Sequence, residues 1–303
     1  MIHGITKQFY LAASLFSLWL LSSCGVSGNK ETGGQQLDTS SSLARKTELL
    51  NAVDSLLNIM PKPSAVPNII ARTGIEYNPA FMCDVKAADK TDGNSSATSF
   101  CLGVFGADIA YMAAYEKGKD AMNLFVTGKK MADRIGISGA FDVTLMERIQ
   151  NNLANRDSLI TLTDNYIKKS SEILKTGEQT KDAAMISAGA VLEGLYITTG
   201  LIRTYPETGL PKEQQNQVLV PLYKTLFDQE ASINNLIFLL EKVGSDEETK
   251  KLQSQLKELA AIYQAGKWNE KIAASQGKVF PEMFDIKSLD AAIVKARNSM
   301  IPQ

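Results

Sequence analysis

Leu102-Gly103-Val104-Phe105-Gly106-Ala107-Asp108-Ile109-Ala110-Tyr111-Met112-Ala113-Ala114-Tyr115 is an unbroken apolar run in which Asp108 is the only charge. It has no alternation of apolar and polar residues and outlasts an ordinary strand, so it reads as a buried helix. Gly118 interrupts the pattern and residues 120–135 resume it, which predicts a helical hairpin.

The same rhythm extends in both directions. Upstream, Leu43, Leu49, Leu50, Val53, Leu56, Leu57 and Met60 follow the three-and-four spacing of one buried helical face, ended by Pro61 and Pro63. Residues 64–73 read as a short helix with Pro67 in its first turn, followed by an irregular stretch through Cys101. Downstream, helices are expected over 141–153 and 157–174, the latter with Asp157 as its N-cap, and over 181–205, stopped by Pro206 and Gly209. Pro211 opens a long helix to about residue 243 that Pro221 kinks. Ser245-Asp246-Glu247-Glu248 is a capping box that starts another helix, and residues 286–300 form the last. No strand pattern emerges. The predicted fold is all-α, either a multi-helix bundle or an array of helical hairpins. The array is tetratricopeptide-like in its 102–135 hairpin, but no period near 34 recurs.

Residues 183–202 contain one charge, Glu193, and are long enough to cross a bilayer. The small residues Ala184, Ser187, Ala188 and Gly189 point instead to a central helix against which neighbours pack closely.

The N-terminus reads as an address. Lys7 precedes an apolar stretch over 9–21, whose helical length of about 20 Å falls short of the roughly 30 Å hydrocarbon core of a bilayer. Residues 1–23 are therefore expected to be a removable signal. Leu21-Ser22-Ser23-Cys24 resembles the lipobox of bacterial lipoproteins, which implies cleavage before Cys24 and acylation there by diacylglycerol and palmitate-type chains. Each buried methylene contributes roughly 0.8 kcal/mol, so several chains anchor a protein without a transmembrane helix. Gly25 stands where inner-membrane retention calls for Asp, and Glu31 is the one acid just beyond. The expected location is the cell envelope, in the outer membrane and facing the periplasm. Residues 24–43 are Gly-, Ser-, Thr- and Gln-rich and read as a flexible tether, leaving 44–303 as a single helical domain.

Composition excludes several functions. Loss of Lys7 with the signal leaves 31 basic residues against 33 acidic ones, a near-neutral chain that is no partner for nucleic acid. The single histidine, His3, leaves with the same segment. The remaining chain then cannot build a Ser-His-Asp or Cys-His nucleophile, a histidine proton shuttle or a histidine-ligated metal site.

The candidate residues are few. Cys83 and Cys101 enclose 17 residues. In an exported chain this spacing predicts a disulfide stabilising by roughly 3 kcal/mol, the alternative being two buried thiols that never meet. Glu193, amid Val191, Leu192, Leu195 and Tyr196, needs a partner: a ligand in a cleft, or a structural hydrogen bond or ion pair. Asp108 with Tyr111 and Tyr115, one and two turns on, could line a pocket on one helical face, or Asp108 could serve the dipole of a helix N-terminus. The sequence does not pair Asp108 with Glu193. The polar segment 151–157 reads as a capped hinge or a polar-ligand site. Asp246-Glu247-Glu248 lacks the spacing of a calcium loop and reads as a helix start. No metal or cofactor is expected.

Gly103-Val104-Phe105-Gly106-Ala107-Asp108-Ile109-Ala110-Tyr111 and Lys129-Lys130-Met131-Ala132-Asp133-Arg134-Ile135-Gly136-Ile137 together resemble an uncharacterised family of helical Bacteroidota lipoproteins. Leu192-Glu193-Gly194-Leu195-Tyr196-Ile197 is similar to the same family. The resemblance covers most of the chain after the signal and implies a helical fold and a cell type, with no activity attached. The expected function is that of a membrane-anchored envelope protein, tethered by its lipid, that binds another envelope protein or a ligand through its helical surface. The competing expectation is a histidine-free hydrolase or lyase using Asp108 or Glu193. Both acids in one open cleft would favour it; separate, fully paired, buried acids would count against it.

Overall fold

The computed structural model describes residues 64–137, 139, 143–152, 155–176, 179–205, 211–274 and 284–302, with Thr47 and Asn51. The expected signal (1–23), tether (24–43) and first helix (43–60) lie outside the described residues, apart from Thr47 and Asn51, which are both helical. Among the described residues the fold is all-α, with no strand.

The helices are α1 (Ala65–Arg72), α2 (Ser95–Ala114), α3 (Gly118–Arg134), α4 (Val143–Asn151), α5 (Arg156–Thr176) and α6 (Thr180–Thr204), followed by α7 (Lys212–Phe227), α8 (Glu230–Val243), α9 (Glu247–Gly266), α10 (Trp268–Ala274) and α11 (Lys287–Asn298). Two 3-10 turns, Pro79–Phe81 and Val85–Thr91, lie between α1 and α2.

Helices α2 and α6 form the centre. Every α2 residue from Ser96 to Ala114 is buried, and most of α6 is too. Both are long and apolar enough to cross a membrane, yet they are packed inside the protein and serve as its core. They run parallel: Ser99 meets Asp182 near their starts, Gly103 then faces Ile186 and Ala190, and Asp108 reaches Glu193 further on. At the crossing a Cβ added to Gly103 would lie 1.9 Å from the Ile186 carbonyl oxygen, and one on Gly189 would lie 2.1 Å from that of Phe100. Only glycine lets the two backbones come this close.

The other helices surround this pair. α3 folds back on α2, as the hairpin reading expects, while α5, α7, α8 and α11 pack against α6 or α2, and α9 packs on α8 and α11. One apolar core extends from Val66 to Ile301. In an array, repeats meet only their neighbours in sequence; here α2 and α6 meet across three intervening helices, which is the organisation of a bundle.

Several expected boundaries move. α2 begins at Ser95 and not at residue 102, because the Asn94 side chain accepts the Ala97 N–H at 2.9 Å and caps a helix that the polar run over 90–96 concealed. The cap of α5 is Asn155, whose Oδ1 accepts from Ser158 N, and Asp157 falls in the first turn. Asp246, and not Ser245, caps α9 by accepting from Thr249 N. Pro221 lies inside α7, and the expected long helix breaks instead at Asp228-Gln229. There Phe227 is held by Trp268, with ring centroids 4.8 Å apart, and by Phe284 at 4.9 Å.

Candidate functional site

Asp108 on α2 and Glu193 on α6, unpaired in the sequence, come together in the core. Both are fully buried. Their carboxyls lie within hydrogen-bonding reach of each other. The third member is Arg297 in the last turn of α11, 7% exposed. Its Nη2 donates to Glu193 Oε1 at 2.8 Å and its Nε donates to Oε2, a bidentate pair across two helices. The guanidinium carbon also lies 4.1 Å from the centre of the Tyr196 ring.

Burial raises the Asp108 pKa well above the usual carboxylate range, and the neighbouring Glu193 charge adds to it; the Cys83 N–H and Arg297 only partly oppose this. Burial also raises Glu193, against the pull of the Arg297 hydrogen bonds and charge. Burial would lower Arg297, but its bonds to Glu193 and the charge there outweigh burial and hold the guanidinium ionised. The Glu193 expectation of a structural ion pair is met.

Asp108 serves no helix N-terminus. It lies in the interior of α2, and its Oδ2 accepts the Cys83 N–H at 3.0 Å. Tyr111 and Tyr115 share its face, as expected, and both hydroxyls are taken up by backbone groups. The Tyr111 hydroxyl accepts from Asn78 N at 3.2 Å, and the Tyr115 hydroxyl donates to the Ile75 carbonyl at 2.8 Å. Their rings pack on each other and on Tyr77 with centroids 5.0 to 5.6 Å apart. Asp108, Tyr111 and Tyr115 thus satisfy three backbone groups of the segment over 75–83, which the short 3-10 turn Pro79–Phe81 leaves without partners of their own.

Cys83 and Cys101 are both free thiols here, so the disulfide that their spacing predicts is not formed in this structure. Cys101 is buried within α2, and the Cys83 sulfur contacts the Asp84 carbonyl. Burial pushes both thiols up, Cys101 to about 12. At neutral pH they remain protonated and poorly nucleophilic.

The remaining candidates serve the scaffold. Asp246 accepts from the Thr249 N–H and hydroxyl and pairs with Lys181, which together hold its carboxyl below its ordinary value although burial alone would raise it. Among the described residues no group of three acids or thiols is arranged to hold a metal. In the polar hinge, Asn155 caps α5 and Asn152 Nδ2 donates to the Arg148 carbonyl. A surface groove of about 410 Å³ opens beside them, lined by Arg148, Asn152, Asp157, Ser158, Thr161 and Leu162.

Sequence reasoning misses Arg297. The signal is present, however: Leu289, Ile293, Ala296 and Arg297 are the buried residues of α11, so the arginine falls on the apolar face of its helix. It misses Tyr77 as well, which lies in the irregular segment before α2, and it places Tyr196 beside Glu193 without its contact to Arg297, because that partner comes from a distant helix. No known protein family, curated protein or solved structure matches this chain.

Proposed function

We propose that this chain is a lipid-anchored helical module of the bacterial envelope that acts by binding a partner protein or ligand, not by catalysis. The anchor half rests on Leu21-Ser22-Ser23-Cys24, preceded by an apolar stretch too short to span a bilayer. Gly25 and the sparse acids after it favour the outer membrane and its periplasmic face. The resemblance of 103–111, 129–137 and 192–197 to helical Bacteroidota lipoproteins supports the same cell type.

The observation that carries the binding half is the closure of the acid cluster. Asp108 and Glu193 come together, as an enzyme would need, but both are fully buried and Arg297 occupies both Glu193 oxygens. A general acid must reach the substrate atom it protonates. Here α11 would have to leave first.

Growth with an alkyne analogue of palmitate tests the anchor: label on the cleaved chain in the outer-membrane fraction, lost in Cys24→Ala, is the expected result. Label that survives Cys24→Ala contradicts it. Reciprocal co-purification from detergent-solubilised envelopes tests the binding role, with one partner expected in stoichiometric yield from wild-type cells. A folded Asp108→Asn or Glu193→Gln chain that keeps its partner but loses its cellular phenotype would favour catalysis instead.

A further inference from the structure

We propose that Asp108 keeps its carboxyl proton in the folded chain and donates it to Glu193, so that the joint between α2, α6 and α11 tightens as its surroundings acidify. The geometry requires a proton at this point. Two carboxyls share the cavity with one guanidinium, and that guanidinium spends its Nε and Nη2 on Glu193. Asp108 Oδ2 has the Cys83 N–H, while Oδ1 is buried with no donor in reach. Ionised, Asp108 would place a second negative charge beside Glu193 with nothing to meet it, and an uncompensated buried charge is strongly disfavoured. Protonated, the Asp108 carboxyl has an acceptor in Glu193 and the cluster is neutral.

The other titratable groups facing the cluster do not change this count. They are Cys83 from the segment before α2, Cys101 and Tyr111 from α2, and Tyr77 from the segment after α1, each neutral near pH 7. The Tyr196 ring of α6 lies on Arg297, and no further carboxylate or amine faces the cluster among the described residues.

The sign follows from linkage. An unfolded aspartate titrates near 3.9, and the folded Asp108 titrates above that. Between the two values the folded state binds one more proton than the unfolded state. Stability from this group is therefore full below the unfolded value and is lost as pH rises toward the folded one. In that window the unfolding constant rises roughly tenfold per pH unit.

Asp108→Asn carries a permanent donor for Glu193 and keeps an oxygen for the Cys83 N–H. Urea unfolding of the full chain in detergent, from pH 5 upward, should show the wild-type unfolding constant rising roughly tenfold per pH unit relative to Asp108→Asn. A flat ratio, or a wild type that gains on the variant as pH rises, overturns the proposal. A second measurement stands without the variant. Infrared spectra of wild-type chain labelled with 13C-aspartate should contain a protonated-carboxyl stretch at pH 7, shifted by the isotope and so distinct from lipid esters. Its absence overturns the proposal equally.

Discussion

Asp108, Glu193 and Arg297 differ in how openly the sequence announces them. A lone acid among apolar residues is visible at once, because burying it demands a partner. The partner is not visible, since Arg297 lies 104 positions from Glu193 and the contact depends on where α11 docks. Glu116 is illegible for another reason. It adopts φ +60°, a left-handed conformation ordinarily left to glycine, where the hairpin turns from α2 to α3. Glu116 N donates to the Ala113 carbonyl and Lys117 N to that of Met112, the bond pair of a Schellman ending. α3 ends in the same way, but with Gly136 at φ +78°. Glu116→Gly should therefore stabilise the chain by about 0.5 to 1 kcal/mol in denaturant unfolding, through relief of left-handed strain partly offset by the entropy of glycine. A loss of stability would mean that the Glu116 side chain contributes more than its backbone costs.

At the scale of elements, helix type is legible and helix ends are less so. The periodicity over 120–135 finds α3 because apolar spacing follows directly from which face is buried, and the nearly uncharged run over 183–202 finds α6 because that helix is buried on most of its faces. The start of α2 escapes because Asn94, Ser95 and Ser96 look like loop residues until Asn94 is recognised as a cap. The α2–α6 contact itself is written in glycine. Gly103→Ala and Gly189→Ala each place a Cβ against the backbone of the opposite helix and should cost at least about 3 kcal/mol, above the usual range for overpacking because the obstacle is main chain. Gly194→Ala, on α6 as well, meets nothing nearer than Val66 at 3.8 Å. It should be neutral or stabilising by up to about 1 kcal/mol through helix propensity. Chemical denaturation of the three variants checks this, and equal costs for all three would show that the close approach is not what selects glycine.

For the whole molecule, the all-α class is legible and the topology is not. The parallel pairing of α2 and α6 leaves α3, α4 and α5 as the connection between them, a long-range contact that local spacing cannot encode. α11 then closes the bundle. It reaches α6 through Arg297–Glu193 and Arg203–Asp290, and α9 through Lys295–Glu258 at 2.6 Å. Lys295–Glu258 is exposed enough to contribute little, whereas a broken buried pair leaves an uncompensated charge. The central claim, that the acid cluster is a closed fastening for the C-terminal helix, is tested most directly by a double-mutant cycle on Glu193→Gln and Arg297→Met, read by urea unfolding at neutral pH. The expected coupling is about 3 kcal/mol, with the double variant losing far less stability than the two single losses combined. Single effects that add to within about 0.5 kcal/mol would contradict it.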